Sequence, residues 1–283
     1  YYKQNDFENA IKYLKLYHDG LEKPFDKNAT IEKIEEFRLR SEVFGIKKAK
    51  INSEASDFGA LKKNDTVYFT SDRGSSSAKY KWTHRSFLDI YTATPQDTSY
   101  QIKKLEAPIN TKLHEGNFCF SKDGNTLYFS RSNITKGKKQ FDRKKTNNVH
   151  LYTASFKNGK WSEPVKMPFN KIGYSYQHPA LSPDGKKLYF SSNQEGGLGG
   201  FDLYVVDVEN PTADPINLGD KINTPNRDQF PYIDASGNLF FASDGHLGLG
   251  MLDVFACEFK NNDFSEPINV GAPINSAFDD FSL

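Results

Sequence analysis

The sequence predicts a mainly β fold: a β-propeller of four-stranded blades, with four complete repeats and the start of a fifth, preceded by a short α-helical hairpin. Three observations predict it. A Lys/Pro–Ile/Phe–Asn tripeptide recurs as Lys50-Ile51-Asn52, Pro108-Ile109-Asn110, Pro168-Phe169-Asn170, Lys221-Ile222-Asn223 and Pro273-Ile274-Asn275. Copies stand roughly 55 residues apart, and a fixed period of about this size marks one structural unit repeated in tandem. Each unit then carries two apolar–aromatic triplets. One reads Val67-Tyr68-Phe69, Leu127-Tyr128-Phe129, Leu188-Tyr189-Phe190 and Leu239-Phe240-Phe241; the other reads Asp89-Ile90-Tyr91, His150-Leu151-Tyr152, Asp202-Leu203-Tyr204 and Asp253-Val254-Phe255. Aromatic residues make up 14% of the chain, a bias toward strands.

Residues 1–49 form the first segment. Phe7, Ala10, Ile11, Leu14 and Tyr17 lie on one helical stripe, and Asn5 with Glu8 fits a capping box. Gly20 and Pro24 end that helix. Thr30 is expected to open a second helix with Ile31, Ile34 and Phe37 inward. Two such helices have too little apolar surface to stand alone. Residues 50–283 form the propeller. In the third unit, residues 178–182, 187–191, 201–208 and 215–218 read as strands A to D, with the Pro183-Asp184-Gly185 turn after strand A. Residues 276–283 are expected to supply only strand A of a fifth unit, so the propeller is expected to be truncated at its C-terminus.

Composition narrows the function. Thirty-seven Lys and Arg stand against 36 Asp and Glu, a net charge of +1, which argues against nucleic acid as a partner. No apolar run reaches the roughly 18 residues of a membrane-crossing helix. Cys119 and Cys257 fall at different points of different repeats and read as buried free thiols. Gly-x-Ser-x-Gly, His-Glu-x-x-His, Cys-x-x-Cys and a phosphate-binding Gly-Lys-Ser/Thr loop are all absent. Neither metal nor cofactor is expected, and the chain reads as no enzyme. Asp89, Asp202 and Asp253 open strand C, where a carboxylate can accept N–H bonds from the preceding Gly-rich loop.

Two constellations are candidate sites. The residues at the start of each strand A are polar, and Asp57, Glu115, Gln177, Asp228 and Asp279 are expected to ring one mouth of the central channel. There they either bind a cation or basic peptide or tie neighbouring blades together. The loops between strands B and C are long in the first two units, residues 71–87 and 131–148. They carry Tyr80, Trp82, Arg85, Lys138, Lys139, Phe141, Arg143 and Lys144, a basic and aromatic set suited to binding a partner protein.

The stretch from Ser182-Pro183-Asp184-Gly185 through Ser191-Ser192-Asn193, followed by Gly196-Gly197-Leu198-Gly199-Gly200-Phe201-Asp202-Leu203-Tyr204, resembles the PD-type, WD-like repeat of TolB-like propellers. Ala242-Ser243-Asp244-Gly245 through Asp253-Val254-Phe255, with Phe278-Asp279-Asp280-Phe281, resembles the propeller of large OmpA-family envelope proteins of Bacteroidetes. In that family a tetratricopeptide-like region precedes the propeller, and residues 1–20 resemble part of one such unit. The resemblance implies a periplasmic, outer-membrane-associated scaffold whose partners are other envelope or secretion-system proteins, some members serving type IX secretion and gliding. Peptidoglycan binding in the family belongs to an OmpA-like domain that these residues do not contain. His150 departs from the Asp of the other units, and Gly74-Ser75-Ser76-Ser77 replaces the Gly-rich loop in the first. The alternative is a carbohydrate-active or metal-assisted hydrolase using Asp57, Glu115 and Asp228, since paired carboxylates roughly 5–9.5 Å apart hydrolyse glycosides.

Overall fold

Four antiparallel sheets follow one another along the chain. In the computed structural model, residues 7–20, 22, 24–39, 45–74, 79–81 and 83–283 are described. Blade 1 comprises Asp57–Lys63, Thr66–Ser71, Asp89–Gln96 and Ser99–Lys104. Blade 2 comprises Glu115–Phe120, Thr126–Ser132, Val149–Lys157 and Val165–Lys166, with Lys160–Trp161 as an added edge. Blade 3 comprises Tyr176–Leu181, Lys187–Ser192, Asp202–Asp207 and Ile216–Asn217; blade 4 comprises Asp228–Ile233, Leu239–Ser243, Asp253–Cys257 and Ile268–Asn269. These strands are A to D of each blade. The A strands of successive blades contact one another, which places them around a common axis in a four-bladed propeller arrangement.

Period-2 alternation gives each blade two apolar faces, and the cores lie between blades. Ile90 of blade 1 packs with Leu127, Phe129 and Tyr152 of blade 2. Leu151 of blade 2 packs with Leu188, Phe190 and Tyr204 of blade 3. Leu203 of blade 3 packs with Leu239, Phe241 and Phe255 of blade 4. Cys119 and Cys257 are free and buried in these layers.

The recurring tripeptide explains how blades are joined. Its asparagine takes the place of a missing strand residue. Asn110 Oδ1 accepts from Ile90 N at 2.9 Å while its Nδ2 donates to Ile90 O at 2.8 Å. Asn170 does the same to Leu151, Asn223 to Leu203 and Asn275 to Val254. The preceding apolar residue, Ile109, Phe169 or Ile222, is buried in the interblade core. Ile274 is only half-buried.

Two expectations are corrected. Residues 276–283 form no strand, so the expected strand A of a fifth repeat is not confirmed. The second helix begins earlier than Thr30. α1 is Phe7–Gly20 and α2 is Lys27–Leu39. Asp26 caps α2, its Oδ1 accepting from Asn28 N and Ala29 N at 2.9 and 3.0 Å. Ile31 is exposed rather than inward, while Ile34 and Phe37 are buried. The hairpin packs on blade 4: Ile11, Ile34 and Phe37 meet Leu249, and Ala272 N donates to Phe37 O at 2.8 Å. Asn5, the expected cap of α1, lies outside the described residues.

Candidate binding surfaces

The acids that open the A strands sit inside the blade junctions. Asp57 Oδ2 accepts from Ser53 N and Oγ at 2.6 and 2.8 Å. Thr111 N and Oγ1 donate to Glu115 at 2.9 and 2.6 Å. Thr224 N and Oγ1 donate to Asp228 Oδ2 at 2.6 and 2.9 Å, and Ser276 N and Oγ hold Asp280 at the same distances. In blade 3 the hydroxyl of Tyr176 replaces the carboxylate and accepts from Lys171 N at 3.2 Å. The shared spacing Ser/Thr-x-x-x-Asp/Glu therefore closes a tight loop that turns strand D of one blade into strand A of the next.

A basic side chain faces most of these acids. Arg73 Nη2 lies 2.7 Å from Asp57 Oδ1 and donates to Ile51 O at 2.8 Å, with its guanidinium 4.6 Å above the Phe69 ring. Arg131 Nε lies 3.1 Å from Glu115, its Nη2 donates to Pro108 O at 2.7 Å, and its guanidinium is 5.0 Å above Phe129. In blade 4, His246 takes this place: Nε2 donates to Ile222 O at 2.9 Å and the ring packs on Phe241 and Phe255. Burial raises the Asp57 carboxyl, but hydrogen bonds from Ser71, Arg73 and Ser53 outweigh it, leaving a pKa below the usual value. Burial dominates at Glu115 and pushes it up to about 7; it also raises Asp228.

A cavity of about 410 Å³ runs along the axis. It is lined by the A strands, by the A–B turns of blades 1 and 2, and by Ser282 and Leu283, so it opens at the end opposite the B–C loops. Asp57, Glu115, Gln177, Asp228 and Asp279 do not line it. Gln177 is half-buried; Asp279 is exposed and accepts from Leu252 N at 3.2 Å. Asp123 is the one acidic residue in the lining, and Ser121 and Asn125 occupy both its oxygens. The lining thus offers no carboxylate pair for glycoside hydrolysis.

The entrance to this cavity is built from a feature that the sequence reading missed. The third residue of each A strand adopts positive φ: Gly59 at 62°, Asn117 at 42°, His178 at 56° and Phe230 at 53°. Each marks a bulge in the A–B pairing. The His178 ring stacks on Phe230 at 3.7 Å, and Phe230 stacks on Phe281 at 4.6 Å. Phe230 N donates to His178 Nδ1 at 3.4 Å, so the neutral ring carries its proton on Nε2. Burial holds His178 down to about 3 and therefore uncharged. The available signal was positional: each bulge lies two residues after the junction acid or its tyrosine replacement, at a position that blade 1 fills with glycine.

At the other end, the two long loops meet. Tyr80 and Phe87 of blade 1 both pack on His114, at 4.8 and 4.7 Å between ring centres. Lys139 of the blade 2 loop reaches over Phe87 at 5.6 Å. Burial, with the Lys139 charge, lowers His114 to about 4. The blade 2 loop folds as a hairpin, Ile134–Thr135 with Lys138–Lys139, followed by a turn in which Asp142 Oδ1 accepts from Lys144 N and Thr146 N. Lys138, Arg143 and Lys144 are exposed, as is Phe141 at 57%. Arg85 is also exposed and lies 3.5 Å from Asp72. Trp82 and residues 75–78 lie outside the described residues.

The glycine-rich loops are structural. Leu198 N and Gly199 N donate to Asp202 at 2.6 and 2.9 Å, and Leu249 N and Gly250 N bind Asp253 in the same way. Asp89 differs: it pairs with Lys104 at 2.6 Å. Among the described residues, no group of three or more His, Cys, Asp or Glu is placed to hold a metal.

No family profile matches the chain, and no curated protein does. Solved structures do resemble it. A thermostable family-43 glycoside hydrolase is 15% identical, with a TM-score of 0.46 over 76% of this chain and 75% of that one. A putative TolB from Agrobacterium tumefaciens is 14% identical, with a TM-score of 0.44 over 77% and 66%. A prolyl endopeptidase is 16% identical, with a TM-score of 0.41 over 76% of this chain and 30% of that one. The likeness is one of fold. It nonetheless corrects the expectation that the chain is no enzyme: glycoside hydrolases and peptidases stand beside the TolB protein, so the architecture does not separate a binding propeller from a catalytic one.

Proposed function

We propose that the chain is an interaction module whose B–C loops of blades 1 and 2 dock an acidic surface of a partner protein. The observation that carries this reading is the joining of the two loops at Phe87, His114 and Lys139. Around that contact, Lys79, Lys81, Arg85, Lys136, Lys138, Arg143, Lys144 and Lys145 are exposed together, in a chain whose net charge is only +1. Clustered cations beside an exposed phenylalanine favour fast, salt-sensitive capture of an anionic face. The sequence resemblance supports placing the module in the periplasm at the outer membrane, among envelope or secretion-system proteins. On this reading peptidoglycan is reached only through a separate domain. A catalytic role elsewhere on the propeller is compatible with this surface.

Reversing four charges (K138E, K139E, K144E, K145E) tests it. Recovery of envelope partners and binding of a polyglutamate probe should fall by roughly tenfold or more, and wild-type binding should weaken as salt rises. Equal recovery by the quadruple variant, with folding unchanged, would remove these loops as the docking surface.

A further inference from the structure

We propose that the axial cavity is a binding site for a small amphiphilic monocarboxylate, with its apolar body along the inner strands and its carboxylate toward Asn117, His178 and the lysines. The site is independent of the loop surface and lies at the opposite end of the propeller.

The volume, about 410 Å³, falls in the range of small-molecule pockets. Leu61, Leu181, Phe230 and Ile233, from blades 1, 3 and 4, give the lining its apolar surface. Its polar groups are biased toward donors. The Nδ1 atom of His178 is engaged by Phe230 N and Ser191 Oγ, which leaves Nε2–H without a partner among the described residues. The Asn117 side chain makes no hydrogen bond there either, and it reaches across to Gly59 of blade 1. Lys62 and Lys122 line the cavity and are exposed. Asp123 is held ionised by hydrogen bonds from Ser121 and Asn125, but Lys62, Lys63 and Lys122 outnumber it in the lining. A ligand that satisfies this lining brings acceptors and negative charge.

The backbone supplies a second argument. Asn, His and Phe hold positive φ at equivalent bulges, where glycine would be unstrained, as Gly59 is in blade 1. Phe230 is the costliest of these conformations, since bulky residues seldom adopt it. The strain places the His178–Phe230 stack at the cavity wall, and strained side chains gathered around one cavity point to a ligand rather than to packing alone.

The test uses 3-phenylpropanoate and its neutral amide in calorimetric titrations of the whole chain. The carboxylate should bind saturably and roughly tenfold more tightly than the amide. Asn117→Gly keeps the backbone conformation while removing the amide, and Lys122→Ala is a surface change. Each should weaken the carboxylate severalfold without altering the thermal midpoint. The K138E, K139E, K144E, K145E variant should bind the carboxylate normally, which separates this site from the loop surface. Absence of saturable binding at about 10 mM, equal affinity for acid and amide, or unchanged affinity in both N117G and K122A would overturn the proposal.

Discussion

Asn223 shows how much of this fold rests on one side chain. Its amide satisfies both the N–H and the C=O of Leu203, and Nδ2 also donates to Asn217. The position is buried, so Asn223→Ala strands a donor and an acceptor, each costing about 1–3 kcal/mol. The variant should lose about 2–5 kcal/mol in urea unfolding with an unchanged m value, and Asn223→Asp should lose at least as much, because its second oxygen would face the acceptors Leu203 O and Asn217 Oδ1 with no proton to donate. A loss below about 0.5 kcal/mol would mean that the clamp contributes nothing. The asparagine was legible in the sequence because it recurs at one place in every unit. The basic side chains beside the junction acids were not. Arg131 lies at the end of strand B, opposite Glu115, whereas Arg73 lies two residues beyond its equivalent and His246 further still. All three reach the same junction from different registers, so no fixed spacing announces them.

Among the elements, the strands were legible and the helical packing only in part. Strand triplets alternate in and out with a period that the interblade cores demand. The bulges left only a positional signal, two residues after the junction acid or its tyrosine replacement, because inserting one residue interrupts that period without a residue-type signature beyond Gly59. Loop length was legible, and the contact of Lys139 with Phe87 was not, since it joins residues from different blades. For the hairpin, Ile34 and Phe37 follow the expected stripe, but Ile31 faces away from the seat that Leu249 and Ala272 provide. That seat yields a prediction. Two helices of 14 and 13 residues are marginal alone, so their order depends on this contact. Phe37→Ala removes the side chain at its centre and should cost about 3–5 kcal/mol of docking. Amide exchange should then speed up throughout α1 and α2 while the inner strands of blades 2 and 3 stay protected. Uniform loss of protection would show instead that hairpin and blades unfold as one unit.

For the whole molecule, repetition makes the histidines add up. His114, His150 and His178 lie near successive blade junctions, and burial lowers them to about 4, 4 and 3. In the unfolded chain each titrates near the ordinary histidine value of 6.5. As pH falls below that value the unfolded state takes up three protons that the folded state refuses, so acid favours unfolding. Glu115 acts in the opposite sense: its folded value of about 7 lies above the ordinary glutamate value of 4.5, so the folded state holds one extra proton between those limits. Among these four groups the balance is two protons, or about 2.7 kcal/mol per pH unit at its steepest, and the raised carboxyls of Asp89, Asp228, Asp253 and Asp280 lessen it. Stability should therefore be full with respect to the histidines above about pH 6.5 and fall on approach to pH 5. His150 isolates one contribution. It occupies the place of Asp89, Asp202 and Asp253, and Lys166 stands beside it at the register position where Lys104 pairs with Asp89. His150→Asn removes one titrating group and should flatten the dependence by about 1.4 kcal/mol per pH unit. Urea midpoints for both proteins at about pH 7.5 and pH 5.5 measure it. Parallel curves would show that His150 is protonated in the folded protein, and a wild-type midpoint that rises on acidification would show that the buried carboxyls outweigh the histidines.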